Sequence, residues 1–539
     1  MESERQMSNG TEIPLSPTSF LDRAAAVFAG ETAILDGDLS FTYREFSDRS
    51  QRLAGLLLEA GIQPGDRVAA LCANSHVMLE LHNGVPMAGA VLVPVNVRLS
   101  EAEITYILED AGARLLVATQ EFAETAQRLS ARTGVRLIVA GSPTSEYEQL
   151  LNVSQVHRVA WTDEKSLLAI NYTSGSTGRP KGVMYSHRGA YLQSLAMAYH
   201  SRLGLDSLYL WTLPMFHCDG WCFTWAVTAA GGAHICQRRI DASEIWLKIC
   251  NCGITHLSGA PTLLSMIAEA ASAMPDHKPE RPIRVQVGGA PPSPVLLARL
   301  AKLNMQVTHL YGLTETYGPA VVNEWQPAWS EKSIPEQARL NARQGIGNVV
   351  TQDVRVFDSE GRDVLADGQT LGEIVIRGNN VMMGYYRDEA ATAAAHIHGW
   401  FRTGDLGVRY PDGYVELRDR TKDIIITGGE NVSSVEIERV LVEHPAVLEA
   451  AVVGREDNRW GEVPVAFVTL RLGMSASEAE LIDFVRSRIA HFKTPDEIRF
   501  EELPKTSTGK VRKHDLRARL KASLAQERGG GSAGTLRDS

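Results

Sequence analysis

Residues Tyr172-Thr173-Ser174-Gly175-Ser176-Thr177-Gly178-Arg179-Pro180-Lys181-Gly182 follow the apolar, strand-like run SLLAIN. Hydroxyls, glycines and one lysine are concentrated there. Glycine lets backbone N–H groups approach phosphate oxygens, serine and threonine add hydroxyl donors, and lysine supplies positive charge, so the segment reads as a phosphate cradle. It is not a Walker A loop, in which the GK pair is followed directly by Ser or Thr; here Gly182 follows Lys181 and Pro180 precedes it.

Around this loop, GDRVAALCANS, GAVLVPVNVR and ARLLVATQ set short β-branched runs beside helical patterns such as FSDRSQRLAGLLLEAG. That alternation predicts α/β layering on mainly parallel strands. From about residue 345 to 420 the texture changes to Gly-punctuated strands, a β-rich subdomain. After Arg420 to Lys422, helices and strands alternate over about 100 residues, enough for a small α+β domain. The expected division is 1–419 for a large N-terminal domain, 420–524 for a small mobile C-terminal domain, and 525–539 for a disordered tail.

The 539 residues include 54 Lys plus Arg and 64 Asp plus Glu, so 54 − 64 = −10. Such a balance argues against broad nucleic-acid or anionic-membrane binding. The six cysteines form no Cys-x-x-Cys cluster and read as reduced thiols. The N-terminus lacks the apolar core of a secretory signal, and no stretch approaches the roughly 20 apolar residues that span a bilayer. A cytoplasmic protein is expected.

Further motifs appear in order: Gly288-Gly289-Ala290-Pro291-Pro292, Tyr311-Gly312-Leu313-Thr314-Glu315-Thr316, Gly384-Tyr385-Tyr386, Trp400-Phe401-Arg402-Thr403-Gly404-Asp405, Asp419-Arg420-Thr421-Lys422-Asp423, Gly428-Gly429-Glu430-Asn431 and Pro504-Lys505-Thr506-Ser507-Thr508-Gly509-Lys510. Together with the loop at 172–182 they resemble the signature motifs of the adenylate-forming superfamily: acyl-CoA synthetases, amino-acid adenylation domains and beetle luciferases. The resemblance covers nearly the whole chain and is greatest to fatty-acid and related acyl-CoA ligases.

It implies ATP, Mg2+ and coenzyme A as reactants and cofactors, and assigns roles by position. Lys510 would bridge the carboxylate and α-phosphate during adenylation. Glu315, with Thr173, would hold magnesium, and Thr314 would reach the α-phosphate. Ser174, Gly175, Ser176, Thr177, Gly178 and Lys181 would line the phosphates. Tyr311 would stack on adenine, with Gly312 beside it and Gly289 and Ala290 lining the base. Asp405 would accept the ribose hydroxyls, with Arg420 as its partner. Lys422 falls at the hinge about which the small domain turns, and Gly428, Gly429 and Glu430 at the pantetheine tunnel.

The same resemblance places the acyl pocket in the aromatic run 213–225, with His217, Trp221 and Gly289 as substrate contacts. Asp219, the one acid in that run, reads as structural rather than as a partner for a substrate ammonium. The implied reaction is ligation of a fatty or related apolar acid to coenzyme A through acyl-AMP, releasing AMP and pyrophosphate. No carrier domain follows the ligase, which favours coenzyme A as acceptor. A stand-alone adenylating enzyme that serves a carrier protein or another acceptor remains the alternative. A nucleotide-binding protein without turnover is disfavoured by Lys510, Glu315 and Asp405. Similar enzymes commonly dimerise, so a homodimer is an expectation of the same kind.

Overall fold

The computed structural model describes residues 12–159, 163–173, 179–420, 422–427, 430–457, 459–506 and 511–530. Among these, seven strands form one sheet in the order Gly384–Tyr385, Lys181–Ser186, Leu167–Thr173, Val91–Pro94, Arg67–Leu71, Ala113–Thr119, Arg136–Ala140. Nine form a second: Ile346–Gly347, Gly318–Val322, Met305–Leu313, Ile283–Val287, His256–Gly259, Leu208–Leu210, Ala233–Ile235, Thr32–Asp36, Leu39–Thr42. The central strands of both pair in parallel, and antiparallel pairs occur only towards the edges.

Parallel sheets need cover on both faces, and the strand sequences show it. In Arg67–Leu71, Val68 and Ala70 join the core between the sheets, whereas Ala69 and Leu71 face Ile104, Ile107 and Leu108 of the helix Glu101–Ala111. The helices Tyr43–Glu59, His76–Met87, His187–Ser201 and Phe223–Ala230 contribute to the inner core; Ala242–Asn251, Pro261–Ala273 and Pro294–Lys302 cover the outer face of the nine-stranded sheet. Layers therefore run helix, sheet, helix, sheet, helix.

All twelve residues of His76–Met87 are buried. Glu80 on this helix lies inside the core with its carboxyl partnered: Arg49 Nε lies 2.5 Å from Oε1 and Tyr147 Oη donates to Oε2 at 2.6 Å. The helix Tyr43–Glu59 starts at a capping box, in which Thr42 and Glu45 satisfy each other's backbone N–H groups.

A five-stranded sheet, antiparallel throughout, spans Thr351–Phe357 to Val415–Arg420 and packs its Val354, Val356, Ile374 and Ile376 on Ala320 and Val321. A second five-stranded sheet contains Ile425–Thr427, Glu430–Val432, Val447–Asp457, Gly461–Leu470 and Glu497–Phe500. Its alternation is strict: Val452, Ala466 and Val468 face Ile437, Leu441, Leu481 and Val485, while Val453, Val465 and Phe467 face Leu516 and Leu520. The last helix, Lys513–Gly530, continues beyond residue 525, so the disordered tail expected from there begins too early. Ala522, Ala525, Gln526, Glu527 and Arg528 are good helix formers, and propensity carries the helix further than the sparse apolar content of its end suggests.

Candidate active site

In open α/β sheets, ligands bind beyond the carboxyl ends of the parallel strands. Here Leu167–Thr173 leads into the hydroxyl-rich loop, Ile283–Val287 into Gly288 and Gly289, Met305–Leu313 into Thr314 and Glu315, and Leu208–Leu210 into the aromatic run. Four strand ends far apart in sequence thus lead towards one seam between the two large sheets.

The loop itself is anchored at both ends. Thr173 and Lys181 are register partners across the antiparallel pair, as are Tyr172 and Gly182. Tyr172 Oη donates to Asp110 Oδ2 at 2.6 Å, and Arg179 lies over the Tyr106 ring at 5.8 Å. Ser174, Gly175, Ser176, Thr177 and Gly178 lie outside the described residues.

Across the seam, Tyr185 of the seven-stranded sheet donates its hydroxyl to the Thr314 carbonyl at 2.6 Å and stacks on Tyr317 with ring centroids 3.8 Å apart. Tyr317 Oη returns a bond to the Ser186 carbonyl at 2.8 Å. Burial pushes both hydroxyls well above the ordinary tyrosine pKa, so they stay protonated donors. Cys218 Sγ lies 3.6 Å from Thr314 Oγ1 and 3.9 Å from His217 Nε2, which brings the aromatic run up to the YGLTET segment.

Glu315 is half-buried. Tyr385 Oη donates to its Oε1 at 2.8 Å, and its backbone carbonyl accepts from the Met382 N–H at 2.8 Å. Lys181 Nζ sits 4.9 Å from the centre of the Tyr385 ring and 3.8 Å from Asp388 Oδ2. Neither Tyr385 nor Asp388 was assigned a role from sequence; the Gly384-Tyr385-Tyr386 motif was the one signal for the tyrosine.

Asp405 and Arg420 are register partners on adjacent antiparallel strands. Asp405 is buried, with Arg420 Nε 3.1 Å from Oδ1 and Tyr311 Oη donating to Oδ2 at 2.8 Å. Burial and the Asp405 charge push the Tyr311 hydroxyl up. Gly312 lies opposite Pro319 in the strand pair, Gly289 is half-buried with φ +87°, and Ala290 is exposed.

Trp221 is buried between two glycines: a side chain at Gly288 or at Gly318 would put its first carbon 2.9 Å from the Trp221 ring. The indole therefore closes off space beneath the strand ends. It is presented by an unusual turn in which residues 218–222 all have positive φ, at 47°, 46°, 62°, 52° and 62°. Four of the five are not glycine, and each costs on the order of 1–2 kcal/mol. Asp219 within it is wholly buried and hydrogen-bonded to Asn171, the structural part read for it from sequence. Its pKa is pushed up to about 7, burial outweighing the Asn171 hydrogen bond.

Near the proposed hinge, the Asp423 N–H donates to the Arg420 carbonyl at 2.9 Å, and Lys422 is exposed, its carbonyl 3.4 Å from Arg517 Nη2. Asp419 Oδ2 accepts from Ser434 N–H at 2.5 Å and Ser434 Oγ at 2.7 Å. Glu430 is exposed on a short strand; Gly428, Gly429 and Lys510 lie outside the described residues.

Residues 21–386 match the AMP-binding enzyme family, and residues 436–510 match its C-terminal domain. A peroxisomal butyrate–CoA ligase of Arabidopsis thaliana is 40% identical, over 98% of this chain and 96% of that one. A peroxisomal trans-cinnamate:CoA ligase of Petunia hybrida is also 40% identical, over 95% of each chain. Among solved structures, ATP-bound MatB of Rhodopseudomonas palustris superposes with a TM-score of 0.82 at 27% identity, over 94% of this chain and 99% of that one. By these matches this chain belongs to the AMP-binding enzyme family, and it is an AMP-forming acyl-CoA synthetase that ligates a carboxylic acid to coenzyme A at the expense of ATP.

Proposed function

We propose that this synthetase takes a compact apolar acid, short-chain or aromatic, rather than a long fatty acid. The observation that carries it is Trp221, held between Gly288 and Gly318 where a longer acyl chain would have to pass. Relatives named for butyrate and for trans-cinnamate support the same size class. Incubating the enzyme with ATP, magnesium, coenzyme A and an equimolar panel of butyrate, hexanoate, decanoate, palmitate, benzoate and cinnamate tests it by mass spectrometry. Butyryl-, benzoyl- or cinnamoyl-CoA should dominate; palmitoyl-CoA as the main product would overturn the reading.

In the proposed chemistry a carboxylate oxygen attacks the α-phosphorus, the bond to pyrophosphate breaks, and acyl-AMP forms. The coenzyme A thiol, losing its proton, then attacks the acyl carbon and AMP leaves. Oxide is too poor a leaving group for direct thiol attack, and AMP is a better one. Lys510 and Thr314 stabilise charge at the α-phosphate, Asp405 with Arg420 holds the ribose, and the glycines and hydroxyls of 173–178, with Lys181, hold the outer phosphates. Tyr311, Gly312, Gly289 and Ala290 take the adenine side; His217, Trp221 and Gly289 take the acid; Gly428, Gly429 and Glu430 take pantetheine.

The donor set suits magnesium. Glu315 Oε1 is occupied by Tyr385, and Oε2 has no hydrogen-bond partner among the described residues. No cluster of three or more His, Cys, Asp or Glu side chains among those residues could hold a metal ion alone, so the remaining ligands would be phosphate and water oxygens. Bound there with Thr173, the ion would draw charge from the leaving pyrophosphate. We also propose the division at residues 419 and 420, with Lys422 as pivot, and a cytoplasmic location; limited proteolysis and cell fractionation test these two points.

A further inference from the structure

Tyr385 touches the two charged groups of the phosphate side at once. Its hydroxyl donates to Glu315 Oε1 at 2.8 Å, and the face of its ring lies 4.9 Å from Lys181 Nζ. The backbone gives it little freedom. Tyr385 pairs in register with Val183, two residues beyond Lys181, and its own N–H donates to Thr392 Oγ1 at 2.9 Å. Three residues earlier, the Met382 N–H holds the Glu315 carbonyl at 2.8 Å. The same short segment is therefore tied to both sides of the site.

The chemistry of the contacts matters as much as their number. A carboxylate and an ammonium in a partly buried cleft attract each other strongly, and a direct pair would consume both charges. Tyr385 presents a neutral donor to one and an electron-rich ring face to the other. One carboxylate oxygen is satisfied while Oε2 is left without a partner among the described residues. Lys181 is held by the ring, 4.9 Å from its centre, and by Asp388 Oδ2 at 3.8 Å.

We propose that Tyr385 is a positioning residue that keeps Glu315 and Lys181 apart and turns both toward the triphosphate. This rests on the reading of Glu315 as the magnesium-holding carboxylate. The two contacts can be removed separately. Tyr385→Phe deletes the hydroxyl and keeps the ring; Tyr385→Leu deletes both.

For Tyr385→Phe, the magnesium concentration giving half-maximal pyrophosphate release should rise about tenfold, as loss of a hydrogen bond to a charged group implies. ATP affinity measured by calorimetry without magnesium and without acid should stay within about twofold, because the ring still holds Lys181. For Tyr385→Leu, that magnesium-free ATP affinity should also fall, by about tenfold, as Lys181 turns to Glu315. Unchanged circular dichroism and melting temperature establish that each variant folds. Where Tyr385→Phe does not fold, Tyr385→Trp, which keeps a ring without the hydroxyl, replaces it; where Tyr385→Leu does not fold, Tyr385→Met, which lacks both, replaces it in the same measurements. Glu315→Gln is the reference. If it raises the magnesium requirement and Tyr385→Phe does not, the positioning proposal is overturned and the site reading survives. If Glu315→Gln leaves magnesium dependence untouched, the site reading itself fails. Equal loss of magnesium-free ATP affinity in the Phe and Leu variants would overturn the separate action of hydroxyl and ring.

Discussion

Asn171 and Asp219 hold each other at two points: Asn171 Nδ2 donates to Asp219 Oδ1 at 2.6 Å, and the Asp219 N–H donates to Asn171 Oδ1 at 3.0 Å. This joins the strand that ends at Thr173 to the left-handed turn that presents His217 and Trp221. A two-point clamp on a turn with four strained non-glycine residues gives that strain something to be offset by. Asp219 Oδ2 is buried with no hydrogen-bond partner among the described residues, which suits a protonated carboxyl better than a carboxylate.

Asp219 should therefore make the wild type less stable as pH rises. Its folded pKa, about 7, lies above the ordinary 3.8, so the folded state binds the proton more tightly than the unfolded chain. The stabilisation is full below pH 4 and is lost progressively as pH rises through about 7. Tyr185, Tyr317 and Cys222 around it are all pushed above their ordinary values and stay neutral in this range. Asp219→Asn removes the titration, so the melting temperature of the variant minus that of the wild type should increase by several degrees between pH 5 and pH 8. A difference that stays flat with pH would show an ionised Asp219.

Trp221→Ala opens the space between Gly288 and Gly318. The ratio of kcat/KM for decanoate over butyrate should rise by about tenfold or more, since each buried methylene is worth about 0.8 kcal/mol. Removing a buried tryptophan also costs about 3–5 kcal/mol of stability, so assays belong well below the melting temperature. An unchanged chain-length profile would move the boundary of the pocket elsewhere.

Asp405→Asn keeps the shape but weakens acceptance of the ribose hydroxyls and releases Arg420 and Tyr311 from their shared partner. The KM for ATP should rise about tenfold with a smaller change in the KM for the acid. A purely structural part would move both together.

Lys510→Ala should cut adenylation about a hundredfold or more, as loss of a charge-stabilising donor at the reacting phosphate does elsewhere. Thioester formation from supplied acyl-AMP should change far less. Equal loss in both half-reactions would contradict the separation of the two steps.

Lys422→Pro tests the pivot. No described hydrogen bond uses the Lys422 N–H, so proline should be accommodated in the fold while fixing φ. Pyrophosphate release should persist and thioester formation should fall. Normal thioester formation would place the pivot elsewhere.

The candidate motifs could be picked out from sequence because they are local. The hydroxyl- and glycine-rich run at 172–182, the TGD at Asp405 and the DRTKD at Arg420 each carry their backbone and charge requirements within a few residues. The pairing of Asp405 with Arg420 was named from sequence, and the hairpin register places them opposite each other. Trp221 was named too, but its confinement by Gly288 and Gly318 depends on two other segments folding over it. Tyr385 lay inside a quoted motif without a function, since nothing local tells which carboxylate a tyrosine hydroxyl will reach. The end of the last helix was misplaced because few apolar residues mark it.

The sequence alone determined the family, the layered α/β class with its small C-terminal α+β unit, and the chemistry, because residue type and spacing encode strand alternation, phosphate-binding turns and charge. The tertiary structure decided which partner each charged group meets, which carboxyl is driven toward neutrality and where Trp221 is packed. Those depend on burial and on partners brought from distant parts of the chain, and burial sets the local dielectric that gives each group its charge.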